Sequence, residues 1–134
     1  MIKRSGYHIL RVSMAITFLW IAVLIFREPM LWSGFIDPWF LRISPLDGIT
    51  LIYIVGVFDA LLGLMFLIDL KTHWAGFLAA LHMFSVLTVS GIDNITVRDI
   101  AIFGASLSLL SEAMPQRWRD AFKKKAKPTG DMQL

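Results

Sequence analysis

The sequence contains no cysteine. Disulfides, thiol relays and thiolate-held metal or iron–sulfur centres supplied by this chain are therefore excluded, and any redox role rests on a bound cofactor or a partner. Charge is also scarce: 17% of residues are Asp, Glu, Lys or Arg, against ~25% in ordinary soluble domains. The chain has no phosphate-cradling glycine loop, no paired-carboxylate metal motif and no serine elbow, so neither a self-contained catalytic motif nor a metal site is expected. The net charge of +3 does not call for nucleic acid. Most of the excess lies between Arg117 and Lys127, beside an apolar run, where a membrane surface accounts for it.

What the sequence has is apolar length. Of 134 residues, 57% are hydrophobic, too many for one soluble core, and they gather into four stretches of about twenty, each able to cross ~30 Å of hydrocarbon. The expected spans are 9–26, 49–68, 74–92 and 95–114. Unpaired backbone is too costly in lipid for anything but helix at these lengths, so the expected fold is all-α, an antiparallel four-helix bundle integral to a membrane. Residues 1–114 form that domain and 115–134 a basic tail. The first span has a basic start at Lys3 and Arg4, as a signal peptide does, but it ends in Arg27-Glu28-Pro29 with no small-residue cleavage pattern, and it reads as a retained helix.

Basic residues are retained on the cytoplasmic side. Placing both termini there puts Lys3, Arg4, Lys71, Arg117, Arg119, Lys123, Lys124, Lys125 and Lys127 inside, against Arg27, Arg42 and Arg98 outside. The external segment from Arg27 to Ser44 is too apolar for a free loop. Asp37-Pro38 is an N-cap and first-turn pair, which predicts a short interfacial helix over Pro38 to Ile43 with Trp39 and Phe40 at headgroup level. The segment reads either as a lid over a cavity mouth or as an aromatic belt. In the tail, Trp118 and Phe122 lie four residues apart among cations, the pattern of an amphipathic helix on anionic lipid. Lys127 to Leu134 is expected to be disordered.

Ionisable side chains inside spans cost ~2.5–3.5 kcal/mol at mid-bilayer and normally face the bundle interior. Arg11 shares a helical face with Ala15, Phe18 and Ala22, and Asp59 shares one with Gly56, Ala60 and Gly63. His82 shares one with Ala75, Ala79 and Val86, and Arg98 and Glu112 share one with Ala101, Ala105 and Ser108. Small residues let membrane helices approach, so these faces are the expected interior. Counting ~1.5 Å per residue gives three polar layers. Arg11 and Glu112 lie at the inner end, as an ion pair or as snorkelling ends. Asp59 and His82 lie at the midplane, as a structural contact or as a proton-exchange and ligand site. Arg98 and Asp99 lie at the outer end, as a helix-start cap or as part of a site. A haem held by two histidines is not expected, since His82 alone is deep and His8 and His73 sit at the interface.

Several features occur together in order: Arg11, Phe18-Leu19-Trp20, Asp59 followed by Gly63, Trp74-Ala75-Gly76, and Arg98-Asp99-Ile100-Ala101-Ile102-Phe103-Gly104-Ala105. Over residues 4–112 the chain resembles the DoxX family. The resemblance implies a small four-helix protein of the bacterial inner membrane, related to the DoxD subunit of thiosulfate:quinone oxidoreductase and associated with respiratory or oxidative-stress redox systems. It implies that Arg11, Asp59, Arg98 and Asp99 are the recurrent polar positions. Two departures stand out: Asp59 replaces the usual glutamate, and Ala22 and Ile25 stand where glycine and lysine are frequent. The expected function is an accessory component of a membrane redox system, with quinone as the possible ligand and a membrane redox protein as the possible partner. The alternatives are a small transporter or lipid-handling protein, and a structural assembly subunit.

Overall fold

The computed structural model describes residues 4–126. The expectations for Lys3, Lys127 and the stretch from Lys127 to Leu134 lie outside them. Among the described residues every regular element is a helix: α1 (Arg4–Arg27), α2 (Pro29–Ser33), α3 (Pro38–Ile43), α4 (Gly48–Leu67), α5 (Thr72–Ser90), α6 (Val97–Ala113) and α7 (Gln116–Ala126). Three of them, α1, α4 and α5, are long and apolar enough to cross a membrane. Their outward side chains are large and apolar, including Ile16, Trp20, Leu61, Leu64, Phe77 and Phe84, as a lipid-facing surface requires.

The fourth expected span is shorter than the sequence suggests. Helix α6 has 17 residues instead of the twenty of 95–114, because its start is tied into a tight connection. The Asp93 carboxylate accepts from the backbone N–H groups of Ile95 (2.7 Å) and Thr96 (2.8 Å), and the Thr96 hydroxyl donates to the Gly91 carbonyl (2.7 Å). Gly91 supplies the positive φ of +71° that this turn needs. Pro115 follows the other end of α6. Proline also opens α2 and α3, where a missing N–H costs nothing, and the α3 expected over Pro38 to Ile43 forms there. Its Asp37 occupies the N-cap position without a side-chain bond, whereas Asp47 caps α4 by accepting from the Thr50 N–H (3.1 Å) and hydroxyl (2.6 Å). Those bonds hold the Asp47 carboxyl below its ordinary pKa.

Helix α1 lies along α4 and α5 along α6, while α4 and α5 pack more loosely on one another. Two glycines permit the close seams. A Cβ on Gly63 would stand 2.7 Å from Leu19 Cγ, and one on Gly76 would stand 2.8 Å from the Leu110 backbone nitrogen and 2.9 Å from the Ser106 carbonyl oxygen. Phe18 stacks on Phe66 (6.0 Å between centroids) and joins Leu62, Ala75, Ala79 and Leu109 in the core. The expected interior faces of α1 and α5 are the ones in the core. On α4, Gly56, Asp59 and Gly63 are buried and Ala60 is half-buried. Helix α6 is turned by about one residue from the expectation: it buries Asp99, Ser106 and Leu109, leaving Arg98 and Ala101 exposed and Ala105 and Ser108 half-buried. Gly76 dictates this rotation, because its close contact requires the Ser106–Leu110 backbone on the facing side.

Candidate functional site

A cavity of about 240 Å³ lies between α1, α4, α5 and the start of α6, in the half of the molecule covered by the α2–α3 segment. Its walls are mainly apolar, with Ile25 of α1, Ile52 and Val55 of α4, and Met83 and Val86 of α5 among them. The packed layer of Phe18, Leu62, Phe66 and Leu109 closes the bundle beyond it. Asp59, His82, Arg98 and Asp99 all line this one space. The midplane and outer polar layers of the sequence reading thus meet in a single cavity.

Asp59 is 2% exposed. His82 Nε2 lies 3.0 Å from Asp59 Oδ1, but the oxygen is off the direction in which a ring N–H points, so the approach is at ion-pair distance and falls short of a hydrogen bond. Neither atom has another hydrogen-bond partner. A buried polar atom left in this state costs ~1–3 kcal/mol, a cost that a polar ligand atom within reach of both from the cavity would remove. The pair can hand a proton to a ligand oxygen or take one from it. The Phe58 ring packs against the imidazole, 5.0 Å between centroids.

The mouth is built from α6 and the α2–α3 segment. Arg98 is half-exposed, its Nε 3.8 Å from Asp99 Oδ1 and its Cζ 6.0 Å from the Trp32 ring centre, so a cation–π contact ties the α2–α3 segment to α6. Trp32, Phe35 and Phe40 line the cavity, and the Asp37 N–H donates to the Val89 carbonyl of α5 (3.3 Å). Of the two aromatics expected at headgroup level, Trp39 is exposed and Phe40 turns to the cavity.

Arg11 and Glu112 take other partners than each other. The Arg11 guanidinium donates from Nη1 to the carbonyl oxygens of Phe66 and Leu67 (2.9 Å to the latter), and its Nε stands 3.6 Å from Asp69 Oδ1. The reason is geometric: the last carbonyls of a helix have no intrahelical donors, and the end of α4 is nearer to Arg11 than α6 is. At the end of α6 the same task falls to Arg119, whose Nη2 donates to the carbonyls of Ser111 (2.6 Å) and Glu112 and lies 3.9 Å from the Glu112 carboxylate. Helix α7 is held there also by Trp118, which packs edge-on to Trp74 of α5. The Asp69 carboxylate accepts from the hydroxyls of Thr72 (2.5 Å) and Tyr7 (3.1 Å). These bonds, that from Thr72 first, and the nearby guanidinium hold it below its ordinary pKa. Asp69 and Lys71 both adopt positive φ (57° and 46°) in the α4–α5 turn, a conformation that Asp tolerates and that costs Lys about 1 kcal/mol.

The sequence reading overlooked several contributors. Thr96 lines the cavity and anchors the α5–α6 connection; the Asp93-x-x-Thr96 spacing, an acid three residues from a hydroxyl at a helix start, was its signal. Backbone bonds from Thr96 and Ile95 keep the Asp93 carboxyl below its ordinary pKa. Trp32 and Phe35 had no signal beyond their apolarity. Among the described residues no group of three or more His, Asp or Glu is placed to hold a metal ion. Compared with known proteins, the chain matches no family model, no curated protein and no solved structure.

Proposed function

We propose that this chain is an antiparallel four-helix protein of the bacterial inner membrane, of DoxX type, with both termini in the cytoplasm. In this reading α6 is the fourth span, its ~26 Å length accommodated by Arg98 and Glu112 reaching the two interfaces. The protein acts as an accessory component of a membrane redox system. The cavity takes the ring of a quinone, and Asp59 and His82 exchange protons with its carbonyl oxygen while electrons come from a partner protein. The resemblance in residues 4–112 supports the family, and the excess of Lys and Arg at one end supports the orientation. The observation that carries the site is the pair of buried, unsatisfied atoms, Asp59 Oδ1 and His82 Nε2, 3.0 Å apart in the wall of an apolar cavity.

A quinone suits that wall because it offers an acceptor oxygen to a proton donor at Asp59 or His82 and an apolar ring to the remaining surface. The reading is tested on protein extracted in mild detergent, by identifying bound quinone and by titrating quinone against tryptophan fluorescence, to which Trp32 in the cavity wall contributes. Binding is expected in wild type and is expected to weaken about tenfold or more in Asp59→Asn, in line with loss of a buried charge-assisted partner. A protein that carries no quinone and binds none refutes it.

A further inference from the structure

A second, lipid-facing groove of about 280 Å³ runs between α4 and α5, lined by Ile54, Phe58, Leu78 and Leu81 together with Val55, His82 and Ser85. Those last three residues also line the interior cavity. A single layer of side chains therefore separates the cavity from the bilayer, and it stands at the seam where two long helices pack loosely. We propose that Val55, His82 and Ser85 form a side door, and that the ligand of this site is a single-chain amphiphile that enters through it from the bilayer, its polar head at Asp59 and His82 and its chain in the α4–α5 groove. This rests on the reading of the Asp59–His82 cavity as a ligand site.

Three observations carry it. The cavity alone, about 240 Å³, falls below the ~300–1,000 Å³ of ordinary small-molecule sites, so it houses a head group and leaves a chain outside; cavity and groove together fall inside that range. The groove is apolar along Ile54, Phe58, Leu78 and Leu81 and becomes polar only at the wall it shares with the cavity, through His82 and Ser85. That gradient matches a molecule with one polar end. His82 packs on Phe58 by a tilted ring contact and no hydrogen bond fixes its Nε2, so the shared wall is held at this point by side-chain packing and the ion-pair approach to Asp59.

The test uses the full chain in lipid nanodiscs with three probes: a benzoquinone bearing a decyl chain with a diazirine near the chain end, decanol bearing the same diazirine, and the chainless benzoquinone. Photolabelling by the two chained probes is expected at Ile54, Leu78 and Leu81 well above the level at Leu61 and Leu64, which face lipid on the same helix as Ile54 and line neither space. Leu81→Trp, at a side chain 53% exposed, fills the groove; it is expected to abolish that labelling and to weaken the chained quinone about tenfold through lost apolar burial, leaving the chainless quinone unchanged. Leu61→Trp is the control and changes nothing. Asp59→Asn weakens both quinones alike. Labelling of the groove no stronger than at Leu61 and Leu64, or equal binding of the chained quinone to Leu81→Trp and wild type, overturns the side door. If neither quinone binds while decanol still labels the groove and Asp59→Asn reduces that labelling, the quinone reading falls and the amphiphile site stands; if decanol labels no more than background as well, both fall.

Discussion

Replacing Gly76 by alanine adds one methyl group, and the structure fixes what it meets. The new Cβ stands 2.8 Å from Leu110 N, 2.9 Å from Ser106 O and 3.1 Å from Leu110 Cα, all backbone atoms that no rotamer change can move. Restoring ordinary contact requires α5 and α6 to part by about half an ångström, which forfeits a quarter or more of the dispersion energy of each contact along the seam. Overpacking of this kind costs ~1–3 kcal/mol, while the greater helix propensity of alanine returns ~1 kcal/mol. The net expectation is a loss of up to ~2 kcal/mol. Gly104, on α6, is the internal control, since a Cβ there meets nothing within 4 Å and Gly104→Ala should gain ~1 kcal/mol. The assay is reversible unfolding in mixed micelles of increasing dodecyl sulfate content, followed by circular dichroism, on wild type and both variants. The difference between the two variants cancels the propensity gain and leaves the packing cost. Equal shifts of the same sign in the two variants would refute the claim that α5 and α6 touch through their backbones at Gly76.

The α4–α5 turn should contribute to acid sensitivity, alongside the caps at Asp47 and Asp93. Asp69 has its pKa depressed, first by the Thr72 hydroxyl, so its stabilising contribution is complete above the unfolded value of ~3.9 and disappears as pH falls through the lower folded value. Unfolding midpoints measured from pH 7 down to pH 2 should therefore drop more for wild type than for Asp69→Asn, and parallel curves would rule this out. Arg11→Met keeps the apolar stem and removes two charge-assisted bonds to the end of α4, with an expected loss of ~1.5–3 kcal/mol in the same micelle assay. An unchanged midpoint would mean that the α4 carbonyls are satisfied without it.

Much of the fold was legible because lipid removes choices. Apolar length located α4 and α5 to within two residues and α1 except for its start, five residues earlier than expected, and Asp37-Pro38 marked where α3 begins, whereas α2 was not anticipated. The interior faces of α1 and α5 followed from small residues spaced three and four apart. The rotation of α6 was not legible, since its charges at Arg98 and Glu112 drew the eye to one face while the backbone contact at Gly76 selects another. Its shortened start was readable in Asp93 and Thr96 once a cap was looked for. In the site, the meeting of Asp59 and His82 could be counted from depth alone. That Arg98 and Asp99 open onto the same cavity depended on how the connections fold over it. Arg11 and Glu112 were matched by depth, but depth does not record that helix ends themselves attract cations, and carbonyl groups are invisible to a reading of side chains.

The arginine caps bear on how the chain is made. Phe66, whose carbonyl Arg11 serves, follows it by 55 residues, so α1 leaves the ribosome long before its guanidinium has anything to bind. At the inner end of its span the Arg11 guanidinium can reach the interface until the far end of α4 arrives beside it. Arg119 needs no such delay, because Ser111 and Glu112 precede it by eight and seven residues and its cap closes as soon as the tail emerges. The order in which the two caps can close thus follows from which helix end each arginine covers.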